Sequence, residues 1–210
     1  MAGPNVAPTK SNLIREKERL ALAIEGYELL ERKREILMME LMKRVEELRV
    51  LERELDASAG RAYPAMRLML LRTGREGARD LAAGVEPEIA VRERTVQVAG
   101  LHVPSVEAEA LPRRLQTSFM DSSALSDETV LEFTELLWLA ARMAGLRSVV
   151  WRLAKEVRKT QRRVNALEKM VIPESRARKA FIEASLEERE REAIFAVKLL
   201  KARRAEKGEG

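Results

Sequence analysis

The run LLWLAARMAGLRSVVWRLAKEVRKTQRRVNALEKMV, residues 136–171, decides how the chain is read. Every seventh residue gives Leu136, Met143, Val150, Val157, Val164 and Val171. Three residues after the first five stand Leu139, Leu146, Leu153, Thr160 and Leu167. Ten of these eleven positions are apolar, mostly valine on the first register and leucine on the second. A stripe with this period is the seam of a coiled coil, because an average spacing of about 3.5 residues returns to one face of a slightly underwound helix. A seam buries nothing until another helix covers it, so the rest of the chain must supply a partner.

Composition limits what that partner can be. Of 210 residues, 35% are charged and only 4% aromatic, the profile of long helices rather than of a thick mixed core. The core is expected to be a narrow seam. No cysteine is present, which excludes disulfides and thiolate metal sites. The single histidine, His102, excludes a multi-histidine metal site. No apolar run reaches the ~20 residues that span a bilayer, and Pro4 and Pro8 stand where a secretory signal would carry its apolar stretch. A soluble cytoplasmic protein is expected. The net charge of +5 admits an acidic partner, but 34 Asp and Glu keep the chain from being a simple polycation.

Residues 1–10 read as irregular. Ser11 or Asn12 is the expected N-cap, with Glu16 in the following turn. A second stripe then runs Leu13, Leu20, Tyr27, Arg34, Leu41, Leu48, Leu55, with companions Ile24, Leu30, Leu37, Met38, Val45 and Leu51. Arg34 and Arg44 interrupt it, and long cationic stems can lie along a seam with their heads in water. A helix is predicted over 11–83, kinked near 60–64 by Gly60 and Pro64, and stopped at Gly84. Residues 84–125 carry Pro87, Gly100, Pro104 and Pro112 among β-prone residues such as Val91, Val96, Val98 and Val103. They read as loop plus a short β-hairpin, turning near Glu93-Arg94 or near Ala99-Gly100. Such a hairpin is too small to stand alone and should pack on the helices. A loose helical stretch is expected over 113–120, interrupted at 121–123. Ser126, with Asp127 and Glu128, starts a second long helix over 126–205 that kinks or re-phases near Pro173. Downstream, Ile182, Leu186, Ala193, Val197 and Leu200 form a further stripe. The fold class is therefore predominantly α: an antiparallel two-helix coiled coil from both termini, a small hairpin between them, one elongated domain.

Charge supplies a separate argument for pairing the two stripes. Lys155, Arg158, Lys159, Arg162 and Arg163 repel one another at three- and four-residue spacings, each pair costing about 0.2–0.5 kcal/mol in an isolated helix. If the helices run antiparallel with facing residue numbers summing to roughly 210–220, a hairpin register, then Glu46, Glu47, Glu52, Glu54 and Asp56 fall opposite. The same register sets Glu187, Glu188, Glu190 and Glu192 near Arg19 and Arg32 to Arg34.

Catalytic motifs are missing from the sequence. It has no G-x-x-x-x-G-K-[ST] loop and no strand-flanked G-x-G-x-x-G, and glutamates at this density on helices are solvated faces. No catalytic, cofactor-binding or metal residue is assigned, and His102 reads as a surface or packing residue. The basic cluster 155–163 can pair within the coil, meet a protein or meet phosphate; no aromatic interleaves it, which disfavours single-stranded nucleic acid. Trp138 and Trp151 read as packing or interface anchors.

Three groups of residues carry a resemblance. Lys159-Thr160-Gln161-Arg162-Arg163-Val164-Asn165-Ala166-Leu167-Glu168 followed by Ile172-Pro173, and Leu186-Glu187-Glu188-Arg189-Glu190-Arg191-Glu192, resemble signatures of the D subunit of the archaeal and vacuolar type rotary ATPases. Pro8-Thr9-Lys10, Leu13 to Leu20, Gly26-Tyr27-Glu28-Leu29-Leu30 and Arg32-Lys33-Arg34 are similar to the same family. The matches keep their order and cover both helical arms, about two-thirds of the chain; 60–84 and the hairpin match weakly. The resemblance implies a non-catalytic central-stalk rotor shaft, without cofactors, in a proton-translocating ATP synthase or ATPase. Its implied partners are the A and B subunits of the catalytic hexamer, the small F subunit of the central stalk and the funnel-shaped C (d) subunit, with the membrane rotor ring beyond. Residues assigned to the hexamer are Thr9, Lys10, Arg15, Arg19, Phe181, Glu188, Arg189 and Arg191; Leu48, Leu51, Trp138 and Trp151 are assigned to the small stalk partner. The seam assigned to the shaft is Leu13, Leu20, Tyr27, Leu41, Leu48, Leu55, Met143, Val150, Val157, Val164 and Val171. A coiled-coil nucleic-acid-binding or tethering protein is the alternative, separable by steep salt dependence or by parallel self-association.

Overall fold

A computed structural model describes residues 6–85, 91–98, 100–109 and 124–208. Helix α1 runs Lys10–Gly84. Strands β1, Val91–Val98, and β2, Leu101–Ala108, follow, then helix α2, Ala124–Ala166. A π turn at Leu167–Val171 joins α2 to helix α3, Ile172–Gly208. The expectations for 113–120 and 121–123 lie outside the described residues. Packing divides the chain into two compact units, Met1–Glu35 with Arg158–Gly210, and Ile36–Val157.

The start of α1 corrects the expected cap. Thr9, not Ser11 or Asn12, takes the N-cap: its hydroxyl accepts from the Asn12 amide at 3.2 Å and its carbonyl from the Leu13 amide at 3.0 Å. Glu16 consequently belongs to no cap. It is buried, 4% exposed, on the seam face.

In the terminal unit the helices are antiparallel. Lys10 meets Glu190 at 3.4 Å, Lys17 meets Glu183 at 3.0 Å, and the Arg34 guanidinium donates to Gln161 at 3.1 Å. The charge-matched register is therefore not adopted; every one of these pairs falls short of it. Most ion pairs instead form within one helix, as Arg44 with Glu40 and Glu47, Arg49 with Glu46, and Arg191 with Glu187 and Glu188. The reason is energetic. An exposed ion pair contributes at most about 1 kcal/mol, whereas a buried leucine contributes about 1.5–3. The apolar stripe sets the register, and flexible charged side chains find partners afterwards.

Small residues share the buried positions with large ones. Ala23, Ser58, Ala62, Thr160 and Ser175 are buried, as are Leu37, Leu51, Leu153, Val164 and Ile182. Leu13, Leu20, Tyr27, Leu41, Leu48, Leu55, Met143, Val150 and Val171 are half-buried along the same faces, while Val157 is buried. Small residues let two backbones approach closely, so a chain with few aromatics can still fill its seam.

In the other unit, Leu37 of α1 packs with Val149, Leu153 and Val157 of α2 and with Val98 and Val103 of the hairpin. Tyr63 and Phe133 meet edge to face at 5.6 Å, and Arg61 bridges to Glu132 and Glu135 at 3.1 and 3.3 Å. The strands pair antiparallel from Val91↔Ala108 to Val98↔Leu101. Gly100 holds a φ of 76° in the turn, which two-residue hairpins demand. The alternative turn at Glu93-Arg94 is excluded, since both residues pair within the ladder.

One helix interruption differs from expectation and a second takes a specific form. Pro64 lies inside α1, and the non-helical backbone falls at Gly74 (φ 71°, ψ 178°) instead of at 60–64. Gly60 and Pro64 are exposed, so the carbonyl that Pro64 cannot satisfy meets water. Near Pro173 the expected re-phasing takes the form of the π turn, in which the Ile172 amide donates to the Leu167 carbonyl.

Candidate interaction surfaces

At the terminal end, Thr9 is occupied as the cap and Lys10 by Glu190. Arg189 donates to the Pro8 carbonyl at 3.0 Å, tying the chain's entry to α3. Arg191 lies near Glu187 and Glu188 at 3.6 and 3.7 Å, and Arg19 near Glu16 at 3.8 Å. Arg15 is exposed and Phe181 is 40% exposed. The eight assigned residues thus lie in one unit, at the start of α1 and on the α3 turns from Phe181 to Arg191, and several of them tie these two segments together.

Beyond Glu190, α3 continues past the start of α1 and has no facing turn among the described residues. There Ile194, Phe195, Val197 and Leu200 are 53–67% exposed. Val197 and Leu200 belong to the further apolar stripe read from the sequence; they stand in solvent where α3 has passed the start of α1. Ile194 and Phe195 went unassigned in the sequence, and the signal that reveals them is an apolar stripe outrunning its partner.

Glu16 shapes the unit's electrostatics. One carboxylate oxygen lies 3.8 Å from both Arg178 and Arg19, and the other, buried, has no hydrogen-bond partner. Nearby, the Glu31 carboxylate, then burial, then Glu168 raise the pKa of Tyr27 above the ordinary tyrosine value, and Arg34 opposes them.

In the second unit the four assigned residues separate by role. Leu51 is buried and Leu48 half-buried. Trp138 donates its indole N–H to the Ala108 carbonyl at 3.1 Å and carries the Arg142 guanidinium at 4.7 Å over its ring. It anchors the hairpin to α2. Trp151 is 65% exposed, with the Lys155 ammonium 5.3 Å from its ring centre, and alone of the four offers a large free apolar surface. A cavity of about 500 Å³ beside β2 is lined by Glu47, Val50, Leu51, Arg142 and Leu146 among others. An apolar groove of about 650 Å³ lies between Met66, Met69 and Leu81 of α1 and Val130, Phe133 and Leu137 of α2. Among the described residues no cluster of His, Asp and Glu could hold a metal, and no helix is long and apolar enough to cross a membrane.

These surfaces sit on a frame shared with known proteins. The profile of the ATP synthase D subunit family matches residues 12–202. The chain belongs to the ATP synthase D subunit family. It is 44% identical over 199 residues to the V-type ATP synthase D subunit 2 of Treponema pallidum, covering 95% of each chain. It is 39% identical to the V-type ATP synthase D subunit of Thermotoga neapolitana, over 94% of this chain and 97% of that one. With the A-type ATP synthase D subunit of Pyrococcus furiosus it shares 36% identity over 94% of both. Within the D subunit family this chain thus aligns with V-type and A-type members along nearly its whole length, including the hairpin that its motifs matched least.

Proposed function

We propose that this chain is the non-catalytic central rotor shaft of a V/A-type proton-translocating ATP synthase or ATPase. Membership of the D subunit family supports the setting. The observation that carries the reading is the end of α3, where Ile194, Phe195, Val197 and Leu200 stand exposed beyond the last inter-helix pair. An apolar helix end of this kind is costly in water and fits the bore of a surrounding ring of A and B subunits. The remaining partners are the small F subunit of the stalk, through the surface around Trp151, and the funnel-shaped C (d) subunit, which links the shaft to the membrane rotor ring.

The mechanism follows from mechanics and linkage. Two helices wound together resist bending and twist better than one, so rotation at one end reaches the other. An asymmetric shaft touches the three catalytic interfaces of the ring differently. Each orientation then favours a different nucleotide state, because only differential contacts shift such equilibria. The charged surface, paired mostly within its own helices, leaves few strong holds against turning.

The double variant Ile194→Asp/Phe195→Asp tests this. Both residues are exposed, so helix content by circular dichroism should be unchanged, while association with the A/B ring weakens at least about tenfold, as loss of two apolar anchors predicts. Unchanged association and unchanged ATP hydrolysis by the assembled complex would show that this end does not seat in the ring.

A further inference from the structure

The π turn at Leu167–Val171 has a consequence for how the terminal unit can twist. Upstream, Thr160 and Val164 are buried seam residues; downstream, the buried residues are Ile172, Ser175 and Ile182. From Val164 an uninterrupted α-helix would bring residues 167, 171, 174, 178 and 181 to the seam. The observed positions lie one residue later. The wide turn, closed by the Ile172 amide on the Leu167 carbonyl, absorbs that residue. Without it, Val171, Glu174 and Phe181 would enter the seam in place of Ile172, Ser175 and Ile182, since one residue rotates a helix by about 100°. The downstream sequence is therefore written for the shifted phase.

No residue of Leu167–Val171 is fully buried: Leu167 and Val171 are half-buried, and Met170 is 68% exposed. Pro173 follows at once and has no amide to give Lys169. Wide turns of this kind are rare and interrupt the regular hydrogen-bond ladder. One residue fewer would give an unbroken helix with the same residues in the seam, so neither burial nor phase requires the turn to exist.

We propose that Leu167–Val171 is the torsional joint of the terminal unit, a place where α3 twists against α2 more readily than either helix twists internally. Its use as a compliant element in a rotating shaft rests on the function proposed above; its softness is a property of the chain alone. Hydrogen exchange on the full-length chain reads that softness. Amides of residues 168–172 should exchange at least about tenfold faster than those of residues 157–164, as expected of a locally weak ladder. The variant lacking Met170 and carrying Pro173→Ala anneals the turn while keeping Ile172, Ser175 and Ile182 in the seam. It should bring those rates down to the flanking values and raise Tm by a few degrees. Pro173→Ala alone should leave exchange fast, because seam phase holds the extra residue in place. Equal exchange in the unaltered chain, or a lower Tm in the annealed variant, overturns the joint whatever the chain's partners prove to be.

Discussion

Among the described glycines, Gly145 has the least room for a side chain. A Cβ built on it would lie 2.6 Å from the Val106 carbonyl oxygen and 3.0 Å from the Val106 Cβ, so the backbones of α2 and β2 meet closely there. Gly145→Ala should destabilise the chain by about 1–3 kcal/mol in urea unfolding, the range for overpacking. Gly26, with nothing within 4 Å of such an atom, is the control: Gly26→Ala should stabilise by about 0.5–1 kcal/mol. Neither difference was legible beforehand, because a glycine inside a helical pattern looks alike whether a strand crosses it or water does. Glu16 misled for the same reason. Three residues after Leu13 it reads as a first-turn acid, and its burial appears only once Arg178 of α3 is in place. Tyr27 gives a pH-dependent test. Its pKa is raised, chiefly by Glu31, so the folded chain holds the phenol proton longer than the unfolded chain does. The stability this contributes is present below the ordinary tyrosine range near about 10 and is lost as pH rises through the raised value. Tyr27→Phe should flatten that part of the alkaline unfolding curve, leaving stability at neutral pH less affected.

At the scale of elements, periodicity carried the most information. Both stripes form helices, and the hairpin turns at Gly100, one of the two places its sequence allowed. Register departs from the charge-matched expectation, and the cause is physical: small and apolar seam residues align the helices, and the charges find partners afterwards. Leu153 is fully buried against Leu37 and the hairpin valines, so Leu153→Ala should cost about 2–5 kcal/mol, with helix and hairpin signals melting together. The interruption of α1 was also misplaced. Proline and glycine signals at 60–64 were stronger in sequence than a lone glycine at 74, yet an exposed proline can be carried within a helix when its orphaned carbonyl reaches water. The backbone of Gly74 occupies a region essentially restricted to glycine, and Gly74→Ala should cost about 1–3 kcal/mol or straighten the break. A gain in ellipticity would report the second outcome.

For the whole molecule, the sequence carried the family more securely than the surface. Motifs in order along both arms carry the resemblance to the D subunit family, and the family profile over residues 12–202 bears it out. Surface roles were harder to read, since each exposed face of a helix alternates charge and apolar residues whether or not a partner lies there. Trp138 shows the difficulty: in sequence it reads as a packing or an interface anchor alike, and in the fold it clasps the hairpin to α2. The central claim is that this chain turns inside a ring of A and B subunits. The chain has no cysteine, so a benzophenone attached through Glu188→Cys labels one place only, on an exposed turn of α3. In the assembled complex, illumination should crosslink the chain to the A/B ring and stop ATP turnover in proportion to the crosslinked fraction. Full turnover with the crosslink in place, or no crosslink to the ring, would contradict the rotor account.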